Sequence, residues 1–289
     1  MKKIAVSLGE ACNFFCAHCL VPPENRTPRL RPEELAILPG EIDGGKFRTI
    51  LFVGGEPTLY VDDINAILAR LRTLKNKTIK ITTNGAFAVT KEKAGRVLAS
   101  FLKINAVQLS YDVFHQKFLP LSRVRNLYRA CTEAGKTFSI VFSIQSPADM
   151  RLLKNLREIG DFEIGLQKVL PLGMALKNDV YFKYPSFDDS VWKKKCPGGN
   201  EINYIPGRGF TSCCSNIVFN DVIPGAAHAT VRDHMDSRFY SLIKSRKFKQ
   251  LADMFQVGRE NMSPEYSGEC ALCEYIFRTA RKKGLWPGQ

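Results

Sequence analysis

The chain reads as an α/β protein, a partial (β/α)6 TIM-like barrel followed by a small C-terminal α+β domain, on three observations. Six short β-branched or apolar runs alternate with amphipathic helical patterns over residues 1–170. The alternation lapses over residues 171–194 into Pro171, Gly173, Pro185 and aromatic residues, which reads as a linker. Residues 195–289 then carry five of the nine cysteines and form a second module.

The expected strands are Ile4 to Leu8, Thr49 to Val53, Thr78 to Thr83, Ala106 to Tyr111, Phe138 to Ile144 and Glu163 to Val169. Helices fit between them, as at Val61 to Leu74, Lys91 to Leu102, Ser122 to Ala134 and Ala148 to Ile159. Strands separated by helices imply a parallel sheet with the helices on its outer face. Ligand-binding groups in such a barrel gather beyond the C-terminal ends of the strands. The loops after strands one to four hold Cys12 to Cys19, Gly54 to Pro57, Asn84-Gly85 and Asp112 to His115, all at one mouth. In the second module, Ile202 to Ile205, Pro206-Gly207 and Phe210 to Cys213 read as a hairpin, and Phe239 to Phe255 as one helix. That module is expected to hang over the barrel mouth.

With 289 residues and 45% hydrophobic content, the chain can bury one large core and a smaller appendage. It has no apolar run near the roughly 20 residues a membrane span needs, and no export signal at its start, so a cytoplasmic location without membrane contact is expected. The net charge of +14 suits an anionic partner, whether nucleic acid, acidic peptide or phosphorylated substrate. The basic residues are scattered, however, and runs such as Lys193 to Lys195 and Arg281 to Lys283 are short. Most of them read as solvated surface, and no nucleic-acid partner is expected. An odd cysteine count with two C-x2-C pairs favours metal ligation over disulfides.

Cys12, Cys16 and Cys19, spaced C-x3-C-x2-C, are the most telling feature. Three thiolates in one loop can hold three corners of a cubane iron–sulfur cluster and leave one iron open to a small molecule. A structural zinc ion is the other reading; it normally wants a fourth ligand nearby, and His18 inside the last pair cannot easily turn back onto the same metal.

The spacing resembles that of the radical S-adenosylmethionine (SAM) enzymes, and the likeness extends to Gly54-Gly55-Glu56-Pro57 and the segments TTNG and LSYD. It implies that the open iron chelates the amino and carboxylate groups of SAM, and that one electron then releases a 5′-deoxyadenosyl radical. It implies that the exposed backbone of the GGEP segment and the Glu56 carboxylate receive the SAM ammonium. His18 takes the place of an aromatic ring near the adenine, or is a loop histidine with a solvent partner. Ser110 resembles a ribose or carboxylate contact, Arg123 or Lys117 pairs with the SAM carboxylate, and Asn84 is similar to the strand-three motif of the family.

Cys196, a cysteine at 213 or 214, Cys270 and Cys273 are similar to the ligands of the auxiliary [4Fe–4S] module often called a twitch domain, although four cysteines also suit a zinc ribbon. One of the adjacent pair is then spare. Neighbours on an extended strand face opposite ways, so the spare thiol is a candidate hydrogen-atom donor in the barrel mouth. The CPG and CCS segments, with LSYDVFHQKFLP and ECALC, resemble radical SAM peptidyl epimerases of the epipeptide class. That resemblance places hydrogen return on Cys214 and cluster ligation on Cys213; Cys214 as a buried spare, or as the ligand itself, stays open. Glu201, with Asn200 competing for the same place, binds the substrate backbone or faces water. Cys131 reads as core.

The implied reaction converts L-residues to D-residues in a ribosomally made peptide by Cα hydrogen abstraction and thiol hydrogen return. The implied cofactors are two [4Fe–4S] clusters and SAM, and the partners are a peptide and an external one-electron reductant of flavodoxin or ferredoxin type. The auxiliary cluster beside Cys214 could re-reduce its thiyl radical. Alternatives are a radical SAM dehydrogenase or epimerase acting on a sugar or aminocyclitol, and a peptide crosslinking enzyme. With strand one starting near residue 3, no leader-binding domain is expected before the barrel. Recognition then falls to the cavity or to basic residues near Lys193.

Overall fold

A computed structural model describes residues 3–21 and 29–286. In chain order the barrel elements are β1 (Lys3–Ser7), α1 (Pro32–Gly44), β2 (Thr49–Val53), α2 (Val61–Ala69), β3 (Thr78–Thr83), α3 (Lys91–Ala99), β4 (Ala106–Ser110), α4 (Leu121–Glu133), β5 (Thr137–Ile144), α5 (Leu152–Arg157) and β6 (Glu163–Lys168). There follow α6 (Gly173–Lys177), β7 (Glu201–Ile205), β8 (Gly209–Thr211), α7 (Asn216–Phe219), α8 (Val231–Asp236), α9 (Arg238–Ser245), α10 (Phe248–Met254) and α11 (Glu269–Lys282). The strands form one sheet in the order β6-β5-β4-β3-β2-β1-β7-β8. Each neighbouring pair from β6 to β7 is parallel, and only the β7–β8 hairpin is antiparallel.

Alternation along each strand gives the sheet two unlike faces. Ile4 and Val6, Ile50 and Phe52, Ile79 and Ile81, Val107 and Leu109, and Phe138, Ile140 and Phe142 pack into the main apolar core. The intervening residues occupy the inner face of the partial barrel. A second apolar core gathers Trp192, Phe239, Phe248, Phe255, Phe277 and Trp286 from the C-terminal segments. The division into residues 1–170, 171–194 and 195–289 stays a proposal about folding units: the main core also takes Ile202, Tyr204, Phe210 and Val231, and the second takes Phe187, Val191 and Trp192.

The sheet, however, runs across that division. The hairpin expected within the second module extends the barrel sheet, with Lys3 opposite Glu201 and Ile4 opposite Ile202. Because Ile202, Tyr204 and Phe210 bury in the main core, β7 completes the apolar layer beside β1. The expected linker is not passive either. Met174 N donates to Cys19 O at 2.8 Å, and Asn178 Nδ2 to Ala17 O at 2.9 Å, so α6 buttresses the cysteine loop.

The expected helix from Phe239 to Phe255 is two helices, because Arg246 and Lys247 are extended and Phe248 N donates out of register to Lys194 O at 2.9 Å. The expected helix from Ala148 to Ile159 begins as a short 3-10 turn at Pro147–Arg151. Among the described residues, no helix is long and apolar enough to cross a membrane.

Glu34 joins the two parts. Its buried carboxylate accepts from Gly207 N at 2.7 Å, Arg31 N at 2.8 Å and the Tyr204 hydroxyl at 2.9 Å. Burial alone raises its pKa, but the bonds from Arg31, Gly207 and Tyr204 outweigh it and hold the group below its ordinary value of 4.5. A depressed carboxylate contributes stability that is fully present above its unfolded pKa and is lost as pH falls through the folded one. Glu34→Ala strands three donors and lowers the melting temperature at pH 7 by several degrees, at about 2–4 °C per kcal/mol. Calorimetry of wild type and variant checks this, and the difference shrinks below pH 4.5.

Candidate active site

The cysteine loop leaves β1 and is held by main chain. Gly55 N donates to Gly9 O at 2.8 Å and Glu56 N to Ala11 O at 2.9 Å, while Ala11 N donates to the Tyr60 hydroxyl at 3.0 Å. The glycine pair is what permits this approach. Gly54 sits at φ +144°, and a Cβ on Gly55 meets Ala11 O at 2.2 Å.

Glu56 corrects an expectation. Its carboxylate is fully buried and accepts from Thr83 Oγ1 at 2.6 Å, Thr58 Oγ1 at 2.7 Å, Asn84 N at 2.8 Å and Thr58 N at 3.1 Å. Burial pushes its pKa up, against those bonds. Three of these donors go to Oε1 and one to Oε2, so in this structure the carboxylate expected to receive the SAM ammonium braces the loops around it. Pro57 opens the short turn behind it and is buried.

Asn84 is also a brace. Its side-chain amide donates to Asn13 Oδ1 at 2.6 Å and lies 3.5 Å from Cys12 Sγ. Arg123 Nη1 donates to Ala86 O at 3.1 Å, so the guanidinium secures the loop after β3. Ser110 ends β4 half-buried on the inner face, and Lys117 is exposed. His18 stacks on Phe114 with centroids 4.3 Å apart, and its Nε2 lies 3.5 Å from Asp112 Oδ2. Burial pushes His18 down to about 4, so it is neutral near pH 7. Its second polar neighbourhood, Asp112 with His115 Nδ1 at 2.8 Å, belongs to the segment DVFH. The signal for that brace was an Asp followed at the third position by a residue whose backbone N–H it accepts, as at a helix start.

Cys12, Cys16 and Cys19 are half-buried in this loop. Burial pushes Cys16 up to about 12, and the neighbouring Cys12 and Cys19 charges push the same way. Three soft donors that repel one another until a cation joins them fit an iron–sulfur cluster.

The second group of thiols also converges. Cys270 and Cys273 lie three apart in the first turn of α11 and share a face. Cys273 is held well above its ordinary pKa by burial and by Cys196, Cys213 and Cys270, and Cys270 by burial and by Cys214, Cys213 and Cys196. Cys213 Sγ lies 3.1 Å from Ser215 Oγ. Four thiols of this group fit a four-thiolate cluster; Cys213 is among the neighbours of Cys273, and Cys214 is the first neighbour of Cys270.

Cys214 lies next to these thiols and differs in exposure. It is exposed, yet the surrounding protein pushes its thiol up to about 12, with Cys213 and Glu201 adding to the effect. Lys3, a further charge that it senses, pairs with Glu201 at 3.0 Å. Both residues begin their strands, so the second thiol group does not hang over the mouth. It sits at the N-terminal end of β1 because the antiparallel β8 carries the chain back from Gly209, opposite Ile205, to Thr211, opposite Asn203. The span of β1 separates the two ends by about 13 Å at roughly 3.3 Å per residue. Cys131 is fully buried in the main core.

A parallel partial barrel with three cysteines after β1 and a glycine pair after β2 is the pattern of the radical SAM enzymes. Residues 6–141 match the model of the Radical SAM superfamily, a family that implies SAM and a [4Fe–4S] cluster. The putative peptide biosynthesis protein YydG of Bacillus subtilis (strain 168) is 23% identical over 97% of this chain and 93% of its own length. A probable GTP 3′,8-cyclase of Sulfolobus acidocaldarius is 34% identical over 65% of this chain and 62% of its own. The fold is similar to Streptococcus suis SuiB bound to the precursor peptide SuiA, with TM-score 0.56, 16% identity, and 94% of this chain and 70% of that one covered. It is similar also to anSMEcpe with bound AdoMet and a peptide, with TM-score 0.58, 12% identity, and 98% and 97% covered.

Gly55→Ala forces the GGEP segment away from the cysteine loop. It lowers reductive SAM cleavage at least about tenfold, a barrier change of about 1.4 kcal/mol, read as 5′-deoxyadenosine by chromatography.

Proposed function

We propose that this protein is a radical SAM peptide epimerase, which converts L-residues to D-residues in a ribosomally made peptide and uses Cys214 as the hydrogen donor. The observation that carries the reading is an accessible fifth thiol beside four converging ones, at the end of the barrel opposite the SAM loop. The similarity to a peptide biosynthesis protein over nearly the whole chain supports a peptide substrate.

SAM and the cluster held by Cys12, Cys16 and Cys19 supply, when bound, a radical able to take a Cα hydrogen. Inversion then needs a donor on the other side of the substrate carbon. Cys214 meets that demand by position: its S–H bond breaks, the new Cα–H bond forms, and a thiyl radical remains. One electron and one proton restore the thiol, supplied from an external reductant of flavodoxin or ferredoxin type. Glu201, held by Lys3 and neighbouring Cys214, orients the peptide backbone there. Cys196, Cys213, Cys270 and Cys273 hold the second [4Fe–4S] cluster.

Turnover in deuterated water places one deuterium at each inverted Cα, read by mass spectrometry after chiral hydrolysis analysis. Cys214→Ala still cleaves SAM but forms no D-residue; a D-residue formed by that variant sinks the donor assignment. Iron analysis of anaerobic protein gives about eight irons, and the double variant Cys270→Ala, Cys273→Ala about four, as two cubanes require. Four irons in the unaltered protein remove the second cluster.

A further inference from the structure

The inner face of this barrel is polar where closed barrels of this kind are packed with branched apolar side chains. Thr82 donates to Gln108 across β3 and β4 at 3.1 Å, and Gln167 to Ser143 across β5 and β6 at 3.0 Å. Ser139, buried beside Gln108 in the β4–β5 register, has a hydroxyl with no partner. Such a face matches the neutral amides of a peptide.

Lys80 breaks the pattern. It lies on β3 between Ile79 and Ile81, which face the core, and is therefore on the inner face, half-buried. Among the described residues its ammonium has no ion pair and no hydrogen bond. Its charged neighbours do not satisfy it: Lys3 already pairs with Glu201, and Glu163 is exposed on the edge strand β6. Burial and the Lys3 charge push Lys80 below its ordinary pKa, and Glu163 only partly offsets them. In the sheet register Lys80 stands opposite Ala106 on one side and Leu51 on the other, with Ala5 opposite Leu51. Both alanines are short side chains that offer the ammonium no partner. A half-buried cation without an ion pair is a site for an anion.

We infer that Lys80 binds a carboxylate of the peptide substrate, beside the residue that reacts. This rests on the peptide reading above and adds a specificity rule to it. Lys80 and Cys214 both sense Lys3, so the carboxylate lies toward the thiol end of the barrel. The net charge of +14 favours association with acidic peptides over basic ones.

The test uses cluster-loaded protein and pools of random nonapeptides, acetylated and amidated so that carboxylates occur only on Asp and Glu. Peptides retained by wild type and by Lys80→Met are sequenced by mass spectrometry. Wild type enriches Asp and Glu over the pool, Lys80→Met loses about tenfold of that enrichment, and Lys80→Glu enriches Lys and Arg instead. A second pool with free C-termini distinguishes a terminal carboxylate: retention that appears only there and vanishes in Lys80→Met assigns the site to the chain end. Equal acidic content on wild type and Lys80→Met overturns the proposal while the peptide reading stands. Wild type that retains no peptide overturns both. Equal iron content and circular dichroism in the variants show that the fold is unchanged.

Discussion

The radical SAM site depends on one buried carboxylate. Glu56 accepts from Thr58, Thr83 and Asn84, while its own backbone N–H reaches Ala11, so a single residue ties together the ends of β1, β2 and β3. A buried charge is tolerated only when its lone pairs are filled, and here four donors fill them. The cysteine loop has little regular structure of its own. Its shape is imposed from outside, by Glu56, by the Tyr60 hydroxyl, by Asn84 at Cys12 and by α6 at Ala17 and Cys19. Preorganisation of that kind is what lets three thiols stay close in spite of mutual repulsion.

Parallel pairing then decides where the second group of thiols can go. With β7 beside β1 and pointing the same way, a segment entering β7 must start from the end remote from the SAM loop, and Cys196 lies on that segment. The short turn into β8 returns Cys213 and Cys214 to the same end. The two thiol sets face each other along the strand direction, with the inner face between them.

Much of this was legible in the sequence, for physical reasons. The bounds of β2 and β3 were found to the residue because TILFV and TIKITT are β-branched runs stopped by Gly-Gly and Asn-Gly. The spacing of Cys12, Cys16 and Cys19 also foretold that they share one loop after β1. What could not be read were tethers between distant segments. The Glu56, Tyr60 and Asn84 bonds join residues far apart in sequence, and no local pattern records them. Helix α1 escaped notice because Pro39 interrupts its pattern, and α9 and α10 were fused because the break at Arg246 and Lys247 comes from a bond to Lys194 rather than from Pro or Gly. The α11 cysteines were recognised as a ligand pair, while the helix that gives them a common face was not.

The hydroxyls and amides of the inner face raise the question of how a sheet tolerates them. An apolar interior is the cheaper solution, since a buried hydroxyl without a partner costs about 1–3 kcal/mol. Thr82 with Gln108, and Ser143 with Gln167, partly avoid that cost by bonding across strands, but Ser139 does not. The outer face carries the apolar core that holds the sheet, which frees the inner face from that duty. The unpartnered Ser139 hydroxyl therefore costs the sheet stability that the cross-strand bonds at Gln108 and Gln167 recover elsewhere.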